Sequence, residues 1–122
     1  PQYTITDLPD GYFEDSEQNI SEDDFACKVY YNEESDRSIY FDYAYMQQGT
    51  AWTYVTADTE NIAVTVNGLK GEMFLTDDWE NKWNTITWID AERNLQFEID
   101  ANVNRDVILH MAESVSLVKT EN

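Results

Sequence analysis

The sequence predicts an α+β domain: an antiparallel β-sheet built from hairpins, with a C-terminal α-helix packed on one face. Three observations carry the prediction. Thr85 to Ile89 and Leu95 to Ile99 alternate apolar and polar residues, the two-residue period of half-buried strands. From Arg105 to about Val118 the spacing changes to three and four, with Ile108, Met111, Ala112, Val115 and Val118 forming one stripe along a helix. Asn67-Gly68 follows the alternating Ile62, Val64 and Val66, and this dipeptide suits a type I′ hairpin turn because both central residues need positive φ.

Taken in order, Tyr3 to Thr6 reads as an edge strand that stops at Leu8-Pro9-Asp10-Gly11, where Pro fixes φ and Gly permits a tight reversal. The acidic stretch to Asp24 reads as a loop or a poorly paired strand. Phe25 to Tyr31 and Ser38 to Met46 alternate well and are joined by the polar Asn32 to Asp36, which makes an antiparallel hairpin. In its second strand Ile39, Phe41, Tyr43 and Tyr45 share one face, and Ser38, Tyr40, Asp42 and Ala44 share the other. Gln47-Gln48-Gly49 ends that strand, and Ala51 to Asp58 reads equally as a short strand or a helical turn.

A two-residue turn at Asn67-Gly68 would set Val66 opposite Leu69, Val64 opposite Gly71 and Ile62 opposite Met73, keeping the apolar face in register. A polar, Trp-containing loop from Asp77 to Asn84 leads into the last hairpin, whose inner face is Ile86, Trp88, Leu95, Phe97 and Ile99. Asn104 is placed to cap the helix, with Val103 and Ile108 as a hydrophobic staple across its start. Asp106 in the first turn and Lys119 near the end suit the macrodipole.

A chain of 122 residues fits one domain, and with 42% hydrophobic and 14% aromatic residues it can bury a core without staples. Only 7 Lys and Arg face 25 Asp and Glu, a net charge of −18, and Asp10 to Asp24 carries seven carboxylates with no base. Such a surface repels phosphate backbones and anionic headgroups, so nucleic acid and direct lipid binding are not expected. The acidity serves solubility first and attraction of cations or a basic partner second. No apolar run is long enough to span a membrane, and no signal-peptide core opens the chain. The chain starts at Pro1 without a Met, which suggests a segment cut from something longer.

The lone Cys27 alternates with Phe25, Val29 and Tyr31 and reads as a buried small hydrophobe; its one basic neighbour, Lys28, points the other way. Asn19-Ile20-Ser21 matches a glycosylation acceptor, a pattern common by chance.

The order of several pieces resembles a known family: Tyr3 with Leu8-Pro9-Asp10-Gly11-Tyr12, Val64 to Gly71, Ile86-Thr87-Trp88, and Ala112-Glu113-Ser114-Val115. Together they resemble the Gram-positive family called domain of unknown function 4367. The resemblance implies an extracytoplasmic domain, commonly C-terminal to a single membrane span, in anti-sigma-factor-like and other envelope proteins. It implies no established activity and supplies no catalytic residues, so the matching positions count as fold determinants. On this reading residues 1–122 are one domain, the extracytoplasmic part of a longer membrane-anchored protein.

Chemistry-bearing patterns are sparse. His110 is the only histidine and reads as a partly exposed structural residue; with no second His and no Cys cluster, a zinc site is not expected. Oxygen ligands for calcium could come from Glu22, Asp23 and Asp24, or from Asp77 and Asp78, but no EF-hand loop is present, so at most weak calcium binding is expected. No glycine-rich loop opens a helix to cradle phosphates, and no cofactor is expected. Tyr40, Trp52, Tyr54, Trp79 and Trp83 lie on faces or loops outside the expected core and are the candidate ligand-contact aromatics.

The leading functional expectation is a non-catalytic sensory or protein-interaction domain with a protein or cell-envelope partner. The alternative is a module that binds cell-wall glycan or peptide through the aromatics. An enzyme ranks third, to be revived by a pocket lined with two close carboxylates, one of raised pKa.

Overall fold

The computed structural model describes residues 2–46 and 60–118. The described elements, in order, are β1 (Tyr3–Ile5), β2 (Tyr12–Glu14), a 3₁₀ turn (Ser16–Gln18), β3 (Ile20–Ser21), β4 (Phe25–Asn32), β5 (Arg37–Tyr45), β6 (Glu60–Val66), β7 (Leu69–Leu75), β8 (Asn84–Asp90), β9 (Leu95–Ala101), α1 (Arg105–Glu113) and β10 (Val115–Leu117). Strands dominate, and α1 is the one α-helix among the described residues. The expected turn at Gln47 to Gly49, the ambiguous Ala51 to Asp58, and Lys119 lie outside the described residues.

Eight strands form an antiparallel sheet in the order β2-β4-β5-β9-β8-β7-β6, with β3 also pairing β4. Strands β6 to β9 fold as a meander that runs from the sheet edge inward until β9 pairs with β5. The Asn67-Gly68 turn has φ of 50° and 84°, and the register is Val66–Leu69, Val64–Gly71 and Ile62–Met73, as the turn chemistry requires.

One face of this sheet is the main core. Ile39, Phe41 and Tyr43 of β5 meet Leu95, Phe97 and Ile99 of β9 and Ile86 and Trp88 of β8, all buried. Helix α1 packs on β6, β8 and β9 and seals this face with Ile108, Met111 and Ala112. Its start is fixed as expected: Asn104 Oδ1 accepts from the Val107 amide at 3.0 Å, and Val103 and Ile108 are both buried.

The helix is shorter than the apolar spacing suggests. It ends at Glu113; Ser114 caps it with backbone bonds back into the last turn, and Val115–Leu117 turns into a strand. The reason is a partner far away in sequence: β10 pairs with β1, matching Tyr3 to Leu117 and Ile5 to Val115. A β-branched Val that would add little to a helix end gains a ladder instead. Thus Val115 packs on the core from a strand, and Val118 lies beyond it.

The β1–β10 ribbon is fastened to the large sheet by two tyrosines. The Tyr30 hydroxyl accepts from the Ile5 amide at 3.1 Å and lies 3.0 Å from Thr4 Oγ1, while the Tyr43 hydroxyl accepts from the Tyr3 amide at 3.2 Å. The Tyr3 ring stands edge-on to Tyr43 and Phe97, with centroids 5.3 and 5.0 Å away.

The acidic stretch is more ordered than a loop. Tyr12–Glu14 and Ile20–Ser21 both pair with β4, because Asp15 and Asn19 supply turn chemistry between them. Asn19 is part of the architecture: its Oδ1 accepts from the Val29 amide and its Nδ2 donates to Glu14, which occupies the nitrogen that glycosylation would modify.

Candidate functional site

The sheet face opposite α1 carries the chemistry. Cross-strand pairing runs Cys27, Asp42, Glu98 and Thr87 in one row over β4, β5, β9 and β8. The next row runs Val29, Tyr40, Asp100 and Thr85. Two carboxylates therefore stand directly opposite each other, Asp42 and Glu98, with Asp100 two residues along from Glu98 on the same face. Strand alternation puts them there because Phe41, Phe97 and Ile99 take the core side.

The carboxyl groups converge. Asp42, Glu98 and Asp100 each offer an oxygen within 4.8 Å of the other two, the one such group of metal-ligating side chains among the described residues. Glu98 is only 5% exposed, although it faces away from the main core. Its Oε1 and Asp42 Oδ1 are buried with no hydrogen-bond partner. Asp100 Oδ1 accepts from Thr85 Oγ1 at 2.6 Å.

Burial, together with the proton-sharing bond and charge of Asp100 and the charge of Asp42, holds the Glu98 carboxyl far above the usual carboxylate range. Burial and the Asp100 charge push Asp42 up as well, against a hydrogen bond from Cys27 that favours its ionised form. The Cys27 thiol is pushed up to about 12 by burial and by Asp42. Cys27 is thus half-buried beside carboxyls on the outer face, which corrects its reading as a small core hydrophobe; Ala26 and Tyr30 are the core residues of β4. Its face was legible in the alternation, but the carboxyl across from it was not.

The acidic runs singled out in the sequence do not make this site. Glu22, Asp23 and Asp24 are exposed around the rim of a cleft of about 270 Å³ beside Tyr43 and Tyr45, and Asp77 and Asp78 sit in an exposed turn where Asp78 accepts from Asn81. Neighbours in sequence point apart on a strand or loop, whereas the three converging carboxyls come from two strands distant in the chain. The alternating Glu98 and Asp100 of β9, with Asp42 on the outward side of β5, were the available signal.

Of the candidate aromatics, the structure pairs Tyr40 with Trp83, ring centroids 5.2 Å apart. Trp83 is 46% exposed, and its indole N–H donates to Asn102 Oδ1. Trp79 is half-buried in the same loop, its carbonyl held by Asn102. Trp52 and Tyr54 lie outside the described residues. His110 is exposed and pairs with Asp7, tying α1 to the loop after β1.

A further surface lies at the β2 edge. Phe13 is 75% exposed and borders a cleft of about 560 Å³ with Glu14, Asp15, Glu33 and Glu34 around it.

A family model described as domain of unknown function (DUF4367) matches residues 2–115, which is every described element but the end of β10. The chain belongs to the DUF4367 family. No curated protein and no solved structure matches it. Within this DUF4367 domain the motif residues have structural roles: Gly68 makes the hairpin turn, Trp88 stacks on Phe97 at 5.1 Å, and Ala112 lies on the buried helix face.

Proposed function

We propose that this DUF4367 domain is a non-catalytic protein-interaction or sensory domain on the outer side of a membrane, in a membrane-anchored envelope protein of the anti-sigma-factor-like kind. The observation that carries the interaction reading is Phe13: a large apolar ring, three-quarters exposed and ringed by Glu14, Asp15, Glu33 and Glu34. An apolar anchor with a charged rim is the pattern of a recognition surface, and its sign favours a basic segment on the partner. The resemblance to envelope proteins supports the location.

A carboxyl pair with one raised pKa is a reason to weigh catalysis. Glu98 is nearly sealed, however, and the clefts at Phe13, at Tyr43 and beside His110 are lined by other residues, so a substrate has no seat at those carboxyls in any of the three.

The test is a photo-crosslinking residue at position 13 of the full-length protein in its host. A discrete adduct that is lost when Glu33→Lys and Glu34→Lys are combined is expected. No adduct, or equal labelling from the exposed position 65 of β6 on the opposite sheet edge, rejects the surface. An alkaline phosphatase fused after the domain reports its side of the membrane, and an inactive fusion rejects the location.

The Tyr40–Trp83 pair, a half-buried ring beside an exposed one, favours a second reading, binding of cell-wall glycan or peptide. Trp fluorescence titrated with wall fragments should change in the native domain and not in Trp83→Ala; a flat titration rejects it.

A further inference from the structure

Three carboxyl groups share the centre of the outer face, and none of the charges acting on Glu98 or Asp42 is basic. Direct cross-strand pairing of like charges is unfavourable, and a buried carboxyl oxygen without a partner costs desolvation free energy. A single proton relieves one charge and leaves the others. It also cannot satisfy both Asp42 Oδ1 and Glu98 Oε1, the two buried oxygens with no hydrogen-bond partner. A divalent cation meets both demands at once.

We propose that Asp42, Glu98 and Asp100 bind a hard divalent cation, calcium, on the sheet face opposite the helix. The donor set is all oxygen, as calcium prefers. Calcium lies about 2.3–2.6 Å from each ligand, so two of its ligands are at most about 5 Å apart; the three oxygens here lie within 4.8 Å of one another. Strands β5 and β9 hold the carboxyls, and Thr85 orients Asp100 by hydrogen bonding one of its oxygens. Asp42 and Asp100 are only half-buried and give the ion its way in, while Glu98 forms the floor. The three converging groups are carboxylates, with no imidazole or thiolate of the kind zinc favours among them. The site is separate from the Phe13 surface and stands or falls without it.

The experiment is thermal unfolding and calorimetric titration of the full domain, first stripped with chelator, against calcium chloride at constant ionic strength. One ion per chain is expected, with the unfolding temperature rising by roughly 10 °C when calcium is about 100 times its dissociation constant. Magnesium at the same concentration should shift it less. Glu98→Gln keeps the shape and removes the ligand charge, and should weaken calcium at least 10-fold. Asp100→Asn, at a half-exposed position, should do the same and carries the test if the first variant fails to fold. Combined Glu22→Gln, Asp23→Asn and Asp24→Asn should leave affinity unchanged. No calcium-dependent shift in the wild-type domain overturns the site. So does unchanged affinity in the Glu98 and Asp100 variants, or an affinity lost in the Glu22–Asp24 variant, since the ion would then be held by the general acidic surface. An equal response to magnesium overturns the assignment to calcium.

Discussion

Two residues show how far a single side chain reaches in this molecule. Tyr30 is 1% exposed, yet its hydroxyl is the partner of the Ile5 amide and of Thr4. Tyr30→Phe leaves the ring packing intact and strands a buried N–H, so a loss of about 1–3 kcal/mol in urea denaturation is expected. Glu98 acts through its proton. Its folded carboxyl is held above its unfolded value by burial, by Asp100 and by Asp42, with Cys27 across the row and uncharged Thr85 and Thr87 on the other side. The native state therefore binds more protons than the unfolded chain once pH exceeds the ordinary carboxylate range, and stability falls as pH rises from there through the raised value. In chelator the unfolding temperature should drop between pH 5 and pH 9, and Glu98→Gln should flatten that slope; an equal slope in both proteins would reject the assignment. Part of this was readable beforehand: alternation places Asp42 and Glu98 away from the core side of their strands. That they face each other was not, because pairing of β5 with β9 is not written in either strand.

At the scale of elements, hairpins with short turns follow their local chemistry closely. Asn67 and Gly68 adopt positive φ, and every pairing from Val66–Leu69 to Glu60–Leu75 follows from that turn. Gly71 is fixed by a neighbouring strand instead: a Cβ there would lie 2.6 Å from the Thr87 carbonyl oxygen and 3.0 Å from Trp88 Cβ. Gly71→Ala should push β7 off β8 and cost on the order of 1–3 kcal/mol by thermal unfolding. Gly68→Ala has open space around it and pays only the strain of φ at +84°, about 1 kcal/mol. The helix obeys its cap and staple at Asn104 but not its apolar period after Glu113. The period of three and four continues through Val115 and Val118, and a local rule therefore extends the helix. Strand β1 offers Val115–Leu117 a ladder, and a complete set of backbone hydrogen bonds prevails over a weak helix end.

Over the whole molecule, a net charge of −18 is carried on 122 residues. Self-repulsion of this size is long-ranged at low salt, where the Debye length is about 30 Å, and is largely screened at 0.1 M, where it is about 10 Å. The unfolding temperature should rise between 10 and 150 mM sodium chloride, and a flat response would show that the acidic surface is already neutralised. The sequence by itself determined the α+β class, the alternating strands β4, β5, β8 and β9, the β6–β7 register, the capped start of α1 and the sign of the surface field. Each of these is set by residues within a few positions of one another, through side-chain period, turn dihedrals or plain charge count. Only the tertiary structure decided that the final residues leave the helix to pair with β1, that Tyr30 and Tyr43 fasten that ribbon to the sheet, and that Asp42, Glu98 and Asp100 meet on the outer face. Those features depend on strand order, which arises from packing the whole apolar face at once. No local stretch of the chain encodes it.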